Sequence, residues 1–495
     1  MNMSSEFILL LPLIIVAIMS VISILVDAIN PNSKNSGYYL SIISIVAVGG
    51  FALNNFYLNI SGINLEGANL ITSNMLTFGG FSAFFDLLFC VGALLIILNA
   101  RNYLDSVKTE LNEFYNLVLY ALAGMMIMAH SNHLLTLFIG IELMSITFYI
   151  MAGYFRFAAL SVEASLKYFL LGAFSTGFLV YGMAMLYGST GSMFFPEITA
   201  AIVNGTANSA YLMFGAALMI MGLSFKSSAF PFHQWAPDVY SGAPTVVTAF
   251  MSTAGKAAAL SAFIIIAKTI IPMGFDPSGL ESAINTDKLI TAIAAISALT
   301  MLVGNITALV QKNVKRMLAY SSVAHAGYML MGIVANTAAG WSALMFYVVV
   351  YTFMQIGAFI IVGLLERDTD KYLEYDDYAG LSKRQPALAA IMAIFMFSLA
   401  GIPPMAGFFG KYYLFMSVIN TGHLWLALVA VVSSIISVVF YIGLIVKMYF
   451  TDSEDVLGKS LPWNASRILI FVTSAVVLII GLNPGGMLSF IKSAL

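Results

Sequence analysis

Fourteen apolar stretches follow one another along this chain and leave little choice of fold. They lie near residues 7–29, 38–58, 78–100, 112–129, 132–154, 161–188, 209–230, 243–270, 287–310, 316–335, 341–365, 386–408, 424–450 and 465–482. The hydrocarbon core of a bilayer is crossed by roughly 20 helical residues, and most of these stretches reach that length. With no water to satisfy backbone N–H and C=O groups, such segments must bond internally as helices. Of 495 residues, 60% are hydrophobic and only 9% charged, where a soluble domain carries about a quarter. Lipid is therefore the main solvent. The expected fold class is an all-α integral membrane protein with about 14 transmembrane helices.

The basic residues orient it. With fourteen spans, the odd-numbered connections hold Lys34, Arg101, Lys108, Arg156, Lys312, Lys315, Arg316, Arg367, Lys371, Lys383, Arg384, Lys447, Lys459 and Arg467; the even-numbered ones and the ends hold only Lys268, Lys288 and Lys492. Positive charge collects on the cytoplasmic side, so both ends are expected outside. The first segment lacks a basic flank and is too long for a cleaved signal, so it reads as a span. A net charge of −2 gives no reason to expect a nucleic-acid partner. Cys90 is the only cysteine, and one thiol cannot hold an iron–sulfur cluster. The chain has no GxGxxG or Walker pattern and no His/Cys/Asp set at metal-ligand spacing, so neither cofactor nor metal is expected on it.

Two places break the helical pattern alike: "SFKSSAFPFHQWAPDVYSGAP" (224–244) around span 7 and "LAGIPPMAGFFGKYYLF" (399–415) in span 12. Proline removes a backbone donor and clashes with the preceding turn, and in lipid such a break survives only buried in protein or lining a cavity. Two lysine-bearing breaks five spans apart point to a duplicated five-helix unit, inverted because five is odd. The expected organisation is an N-terminal three-helix region (1–111), repeats over 112–270 and 271–450, and a C-terminal helix (451–495).

Several polar groups lie too deep for comfort. Glu142 is near mid-bilayer, with Ser145 and Tyr149 continuing its face; the plain alternative is a protonated carboxyl bonded to a neighbouring helix. Lys226 stands just before Pro231, where a snorkelling lysine is the alternative. Thr245, Thr248, Ser252 and Lys256 form one expected stripe on span 8. Lys411 follows the second break. His325, one turn after Ser321 and Ser322, is read as a relay group or a satisfied core histidine. Lys167 has Glu163 four residues earlier, so an interfacial ion pair accounts for it nearly as well as function does. Asp86 faces the bundle with no evident partner, His233 lies inside the first break as a further candidate, and the loop at 366–386 reads as a solvated connector.

Each mid-helix charge costs roughly 2.5–3.5 kcal/mol, so four lysines and a glutamate left ionised and unpaired would cost on the order of 10–15 kcal/mol. Burial disfavours an amine's charged form and a nearby carboxylate favours it. A lysine whose partner approaches and recedes can thus bind and release a proton, which arginine cannot. Every deep cation here is lysine.

The runs "FPFHQWAPDVYSGAPTVVTAFMSTAGKAAAL" (230–260), "NVKRMLAYSSVAHAGYML" (313–330) and "GIPPMAGFFGKYYLF" (401–415) closely resemble subunit N of bacterial respiratory complex I, the counterpart of mitochondrial NADH dehydrogenase subunit 2. That resemblance implies an antiporter-like fold with inverted repeats and discontinuous helices 7 and 12. It implies proton translocation in an NADH–quinone oxidoreductase of the cell membrane, with NADH, FMN, iron–sulfur clusters and quinone in partner subunits. It matches Glu142 and Lys226 to the family's first half-channel pair, Lys167 to its helix-6 lysine, Lys256 to its central lysine, His325 to its helix-10 group and Lys411 to the second half-channel. Mrp-type cation/proton antiporter subunits share the deep Glu and Lys and form the alternative; a passive structural subunit is the third reading.

Overall fold

The computed structural model describes residues 3–29, 35–62, 72–107, 112–272, 286–366, 373–452 and 464–495. Lys34, Lys108, Arg367, Lys371 and Lys459 lie outside them. Among the described residues the chain is helical, with only isolated bridges between extended residues. The principal helices are α1 (Met3–Ile29), α2 (Ser36–Ile60), α3 (Gly80–Ser106), α4 (Glu113–His130), α5 (Leu134–Ala152), α6 (Ala159–Thr190), α7a (Ser209–Lys226), α7b (Trp235–Gly242) and α8 (Thr245–Ile270). There follow α9 (Thr286–Leu309), α10 (Val314–Ala335), α11 (Ala338–Leu365), α12a (Pro386–Ala400), α12b (Ala406–Asn420), α13 (Leu424–Phe450) and α14 (Ala465–Leu482). By length and composition twelve of these are able to cross a bilayer. Helix α4 and the paired halves of α12 bring the expected count to fourteen.

Polar side chains start several helices where the sequence changes character. His133, Asn208, Asn313, Thr337 and Asn464 each accept a bond from a first-turn N–H of α5, α7a, α10, α11 and α14, satisfying a donor the helix cannot use internally. Packing then follows small residues. A Cβ on Gly124 would come 2.6 Å from Met144 N, letting α4 and α5 approach closely; Gly304 and Gly327 do the same for α9 and α10. Close backbone approach through small residues is the usual device between helices in lipid. These are corresponding pairs in the two expected repeats.

Burial sorts the helices into layers. Nearly every residue of α8, α10 and α11 is enclosed, whereas α6 and α13 expose rows of Leu, Val, Ile and Phe. Helix α11 is the hub, touching α3, α8, α10, both halves of α12, and α14. The deepest helices, α8, α10 and α11, are thus the ones that carry Lys256, His325 and Tyr347.

Four local expectations need correcting. Helix α7a ends at Lys226 rather than Phe230, because Ser228 takes a left-handed conformation (φ 58°) and the chain leaves the helix before the proline. The twelfth stretch, expected to end near 408, continues beyond its break as α12b to Asn420. Lys315, assigned to a loop, is fully buried on α10 and donates to the Ala243 carbonyl at 2.7 Å. The stretch 366–386 is more than a solvated connector. Glu366 is buried and accepts from Tyr103 OH and Thr245 Oγ1 (3.1 and 2.6 Å), Tyr378 and Leu381 are buried, and Lys447 pairs with Asp376 at 2.6 Å. That last contact, chiefly its hydrogen bond, holds the Asp376 carboxyl below its ordinary range.

Candidate functional site: a chain of buried lysines

Lys226 is the last residue of α7a and its side chain is almost wholly enclosed. Its Nζ donates to Ser145 Oγ at 2.7 Å and lies 3.5 Å from Tyr149 OH and 4.0 Å from Glu142 Oε1. All three partners sit on α5, on the face that their spacing predicts. Glu142 Oε1 also accepts from Thr176 Oγ1 of α6 at 2.8 Å. The carboxylate therefore bridges a hydroxyl and an ammonium, close enough for attraction but not in direct hydrogen-bond contact.

Lys256 is 2% exposed and lies on α8 immediately after a π turn, Met251–Gly255. The wide turn interrupts the expected hydroxyl stripe. Thr245 turns to Glu366, Thr248 donates to the Tyr240 carbonyl at 2.7 Å, and Ser252 donates to its own helix. Lys256 instead reaches α10, donating to Ser322 O and Oγ at 2.5 and 2.6 Å. One turn on, His325 places Nδ1 2.7 Å from Tyr347 OH and Nε2 3.0 Å from Tyr441 OH. Tyr441 OH also bonds Ser321 Oγ at 2.5 Å. His325 is thus held by a hydroxyl on each ring nitrogen.

Lys411 lies in α12b and reaches back across the break. Its Nζ donates to the Ala400 carbonyl and to Ser434 Oγ, both at 2.9 Å, over the face of Tyr328 at 4.8 Å. Ala400 ends α12a, so this ammonium sits at the negative end of a half-helix; Lys226, in the last turn of α7a, does the same. The breaks give each lysine this placement.

Lys167 stands apart. It is 41% exposed and pairs with Glu163 and Asp238, each at 2.8 Å, and Asp238 also meets Arg316 at 2.9 Å. The structure gives it the ion pair expected as its alternative, plus a second carboxylate on α7b, and no contact with Glu142 or Lys226.

Sequence reasoning left Asp86 without a partner. The structure supplies His130, whose Nε2 is 2.8 Å from Asp86 Oδ2 while Nδ1 meets the Thr77 carbonyl at 2.9 Å; both side chains are at most 2% exposed. His233 stacks on Phe230, its Nδ1 without a hydrogen-bond partner among the described residues. Thr176, Ser434, Tyr347 and Tyr441 were also missed. Ser433, Ser437 and Tyr441 repeat every fourth residue on α13, a hydroxyl row whose spacing was legible. No pattern announces the Asp86–His130 pair, whose members are 44 residues apart.

Among the described residues no cluster of His, Cys, Asp and Glu is placed to hold a metal.

Residues 131–437 match the family described as "NADH:quinone oxidoreductase/Mrp antiporter, TM". "NADH-quinone oxidoreductase subunit N" of Trichlorobacter lovleyi is 40% identical over 489 residues, covering 98% of this chain and 96% of that one. "NADH-quinone oxidoreductase subunit N 1" of Chloroherpeton thalassium is 41% identical over 493 residues, 100% and 99% of the two chains. The chain belongs to the subunit N family. A chain in the structure of respiratory complex I from Thermus thermophilus with bound aureothin superposes at TM-score 0.78, with 31% identity over 97% of this chain and 98% of that one. A chain of the Mrp complex from Dietzia shares the fold at TM-score 0.79 but only 20% identity, over 98% of this chain and 96% of that one. The family supports the multi-pass, nearly all-helical reading; the antiporter alternative keeps the fold in common and no more.

Proposed function

We propose that this chain is a proton-translocating membrane subunit of NADH–quinone oxidoreductase, and that Glu142, Lys226, Lys256, His325 and Lys411 carry the proton. Electrons pass from NADH to quinone through FMN and iron–sulfur centres in neighbouring subunits. This chain binds no redox group and takes its driving force from them. Both ends face outward, and the two five-helix repeats, 112–270 and 271–450, supply one half-channel each.

One observation carries the reading. Lys256 and Lys411 are enclosed deep in the helix bundle, and among the described residues neither has a carboxylate within 4.0 Å; their acceptors are carbonyls and hydroxyls. A purely structural ammonium would be expected to carry a counter-ion, because an unpaired buried charge is strongly destabilising. A group that alternates between amine and ammonium needs acceptors that tolerate both. Lys226 differs in having Glu142 at 4.0 Å, a separation that a small movement can close or widen. In this path Glu142 and Lys226 load from the cytoplasm. Lys256 passes the proton toward His325, whose two bonded nitrogens can take it at one and give it at the other. Lys411 releases it outward. Buried Ser224 Oγ on α7a and Gln355 Oε1 on α11 have no partner among the described residues and suit bridging water. Lys167 serves as an entrance charge at the rim, in exchange between Glu163 and Asp238.

Lys226→Ala in the assembled complex, reconstituted in vesicles, tests this. Assembly and NADH-linked electron transfer should remain measurable while protons moved per NADH fall. Unchanged pumping would remove Lys226 from the path, and loss of assembly alone would make it a packing residue. NADH–quinone activity should also co-purify with the chain, which the antiporter reading does not expect.

A further inference from the structure

Only three of the 21 basic residues belong to the even-numbered face, and two of them line one cavity. This cavity of about 680 Å³ lies where the end of α8, the start of α11 and the C-terminal helix Pro484–Lys492 meet; Lys268, Lys492, Trp341, Ser342, Pro272 and Leu495 line it. Lys268 Nζ sits 4.5 Å over the Trp341 ring and 5.3 Å from that of Phe81. Among the described residues neither lysine has an ion pair and no Asp or Glu side chain lines the space. Ala338 and Ala339, the first residues of α11, open onto it, adding the positive end of a long helix. In the cavity wall the buried Trp341 Nε1–H has no hydrogen-bond partner among the described residues.

Two unpaired cations, a helix N-terminus and an unused indole donor ask for an anion. Apart from Ser342 the remaining wall is apolar, and Leu495 exposes hydrocarbon there. The volume falls within the usual range for small-molecule sites, roughly 300–1,000 Å³, and the position is the end of membrane spans, where tryptophan and lysine stems meet headgroups. We propose that this cavity binds the phosphodiester headgroup of an anionic phospholipid in the leaflet at the even-loop face, its acyl chains lying along the adjoining apolar helices. The lipid clamps α8 and α11, the helices that carry Lys256 and Tyr347, to the C-terminal helix.

The membrane assembly containing this chain should be exchanged into phosphatidylcholine nanodiscs doped with phosphatidylglycerol, and retained lipid counted by native mass spectrometry. The double variant Lys268→Gln/Lys492→Gln should keep one phosphatidylglycerol fewer per assembly than wild type, while Lys268→Arg/Lys492→Arg keeps it. An unchanged count in the Gln variant, or equal retention of phosphatidylcholine, overturns the proposal. Release of the lipid by millimolar inorganic phosphate marks a free-anion site and also overturns it. Should the Gln variant fail to assemble, a photoactivatable phosphatidylglycerol on the wild-type assembly decides: cross-links mapping to peptides containing Lys268, Trp341 or Lys492 are expected, and their absence overturns the proposal.

Discussion

Lys256 ends among neutral oxygens, and its chemistry follows from that. Ser322 offers a carbonyl and a hydroxyl within 2.6 Å of Nζ, acceptors that hold an ammonium but leave a neutral amine stable too. Arginine keeps the charge and cannot give up its proton. Lys256→Arg should therefore preserve assembly and abolish most coupled pumping. A tenfold loss corresponds to about 1.4 kcal/mol on the barrier, and proton-to-electron ratios in vesicles would read it. Wild-type ratios would mean that this position never titrates in turnover. The Asp86–His130 pair makes a different case, because each group depends on the other while buried. His130→Ala leaves both Asp86 oxygens without a protein partner, and a lost bond to a charged group costs about 1.5–3 kcal/mol. The variant should lower the unfolding temperature of the solubilised protein, and Asp86→Leu in the same chain should recover part of the loss. Additive losses would show that the two do not act as a pair. At this scale the sequence names the buried charges, since a lysine or glutamate inside an apolar run stands out. It does not name their partners, because Ser322, Tyr347 and Tyr441 are ordinary residues until three helices bring them together.

The breaks were legible as elements, though not in their extents. Proline clusters showed where α7 and α12 stop being continuous, but backbone choices at Ser228 and Gly401, both left-handed, fix where the halves end. The π turn in α8 had no sequence mark at all, and Lys256, which follows it, reaches α10 instead of continuing the expected stripe. The α12 break also depends on a close crossing. Gly407 N donates to Ser398 Oγ at 3.1 Å, and a Cβ on Gly407 would overlap the Ser398 carbonyl oxygen. Gly407→Ala must push α12b away from the end of α12a, and with it Lys411 from Ala400. Overpacking of this kind costs about 1–3 kcal/mol, so the substitution should reduce both stability and pumping. Gly177→Ala, which meets nothing within 4 Å on α6, should change neither. Equal behaviour of the two variants in thermal denaturation would show that the crossing yields freely.

For the whole molecule, the distribution of fourteen basic residues against three bears on something that no internal contact decides, namely which face meets the cytoplasm. The helices would pack identically in either orientation, so the argument rests on insertion, where Lys and Arg near span ends stay inside. The chain carries a convenient probe of this, because its one cysteine, Cys90, is buried in the core and gives little background labelling. Thr206, in the connection between α6 and α7a, and Lys312, between α9 and α10, are both exposed and lie on opposite faces. In intact cells a membrane-impermeant maleimide should label Thr206→Cys and spare Lys312→Cys until the membrane is opened. The reverse pattern would invert the path, making Lys411 the loading group and the Glu142–Lys226 pair the exit, while leaving every distance between them unchanged.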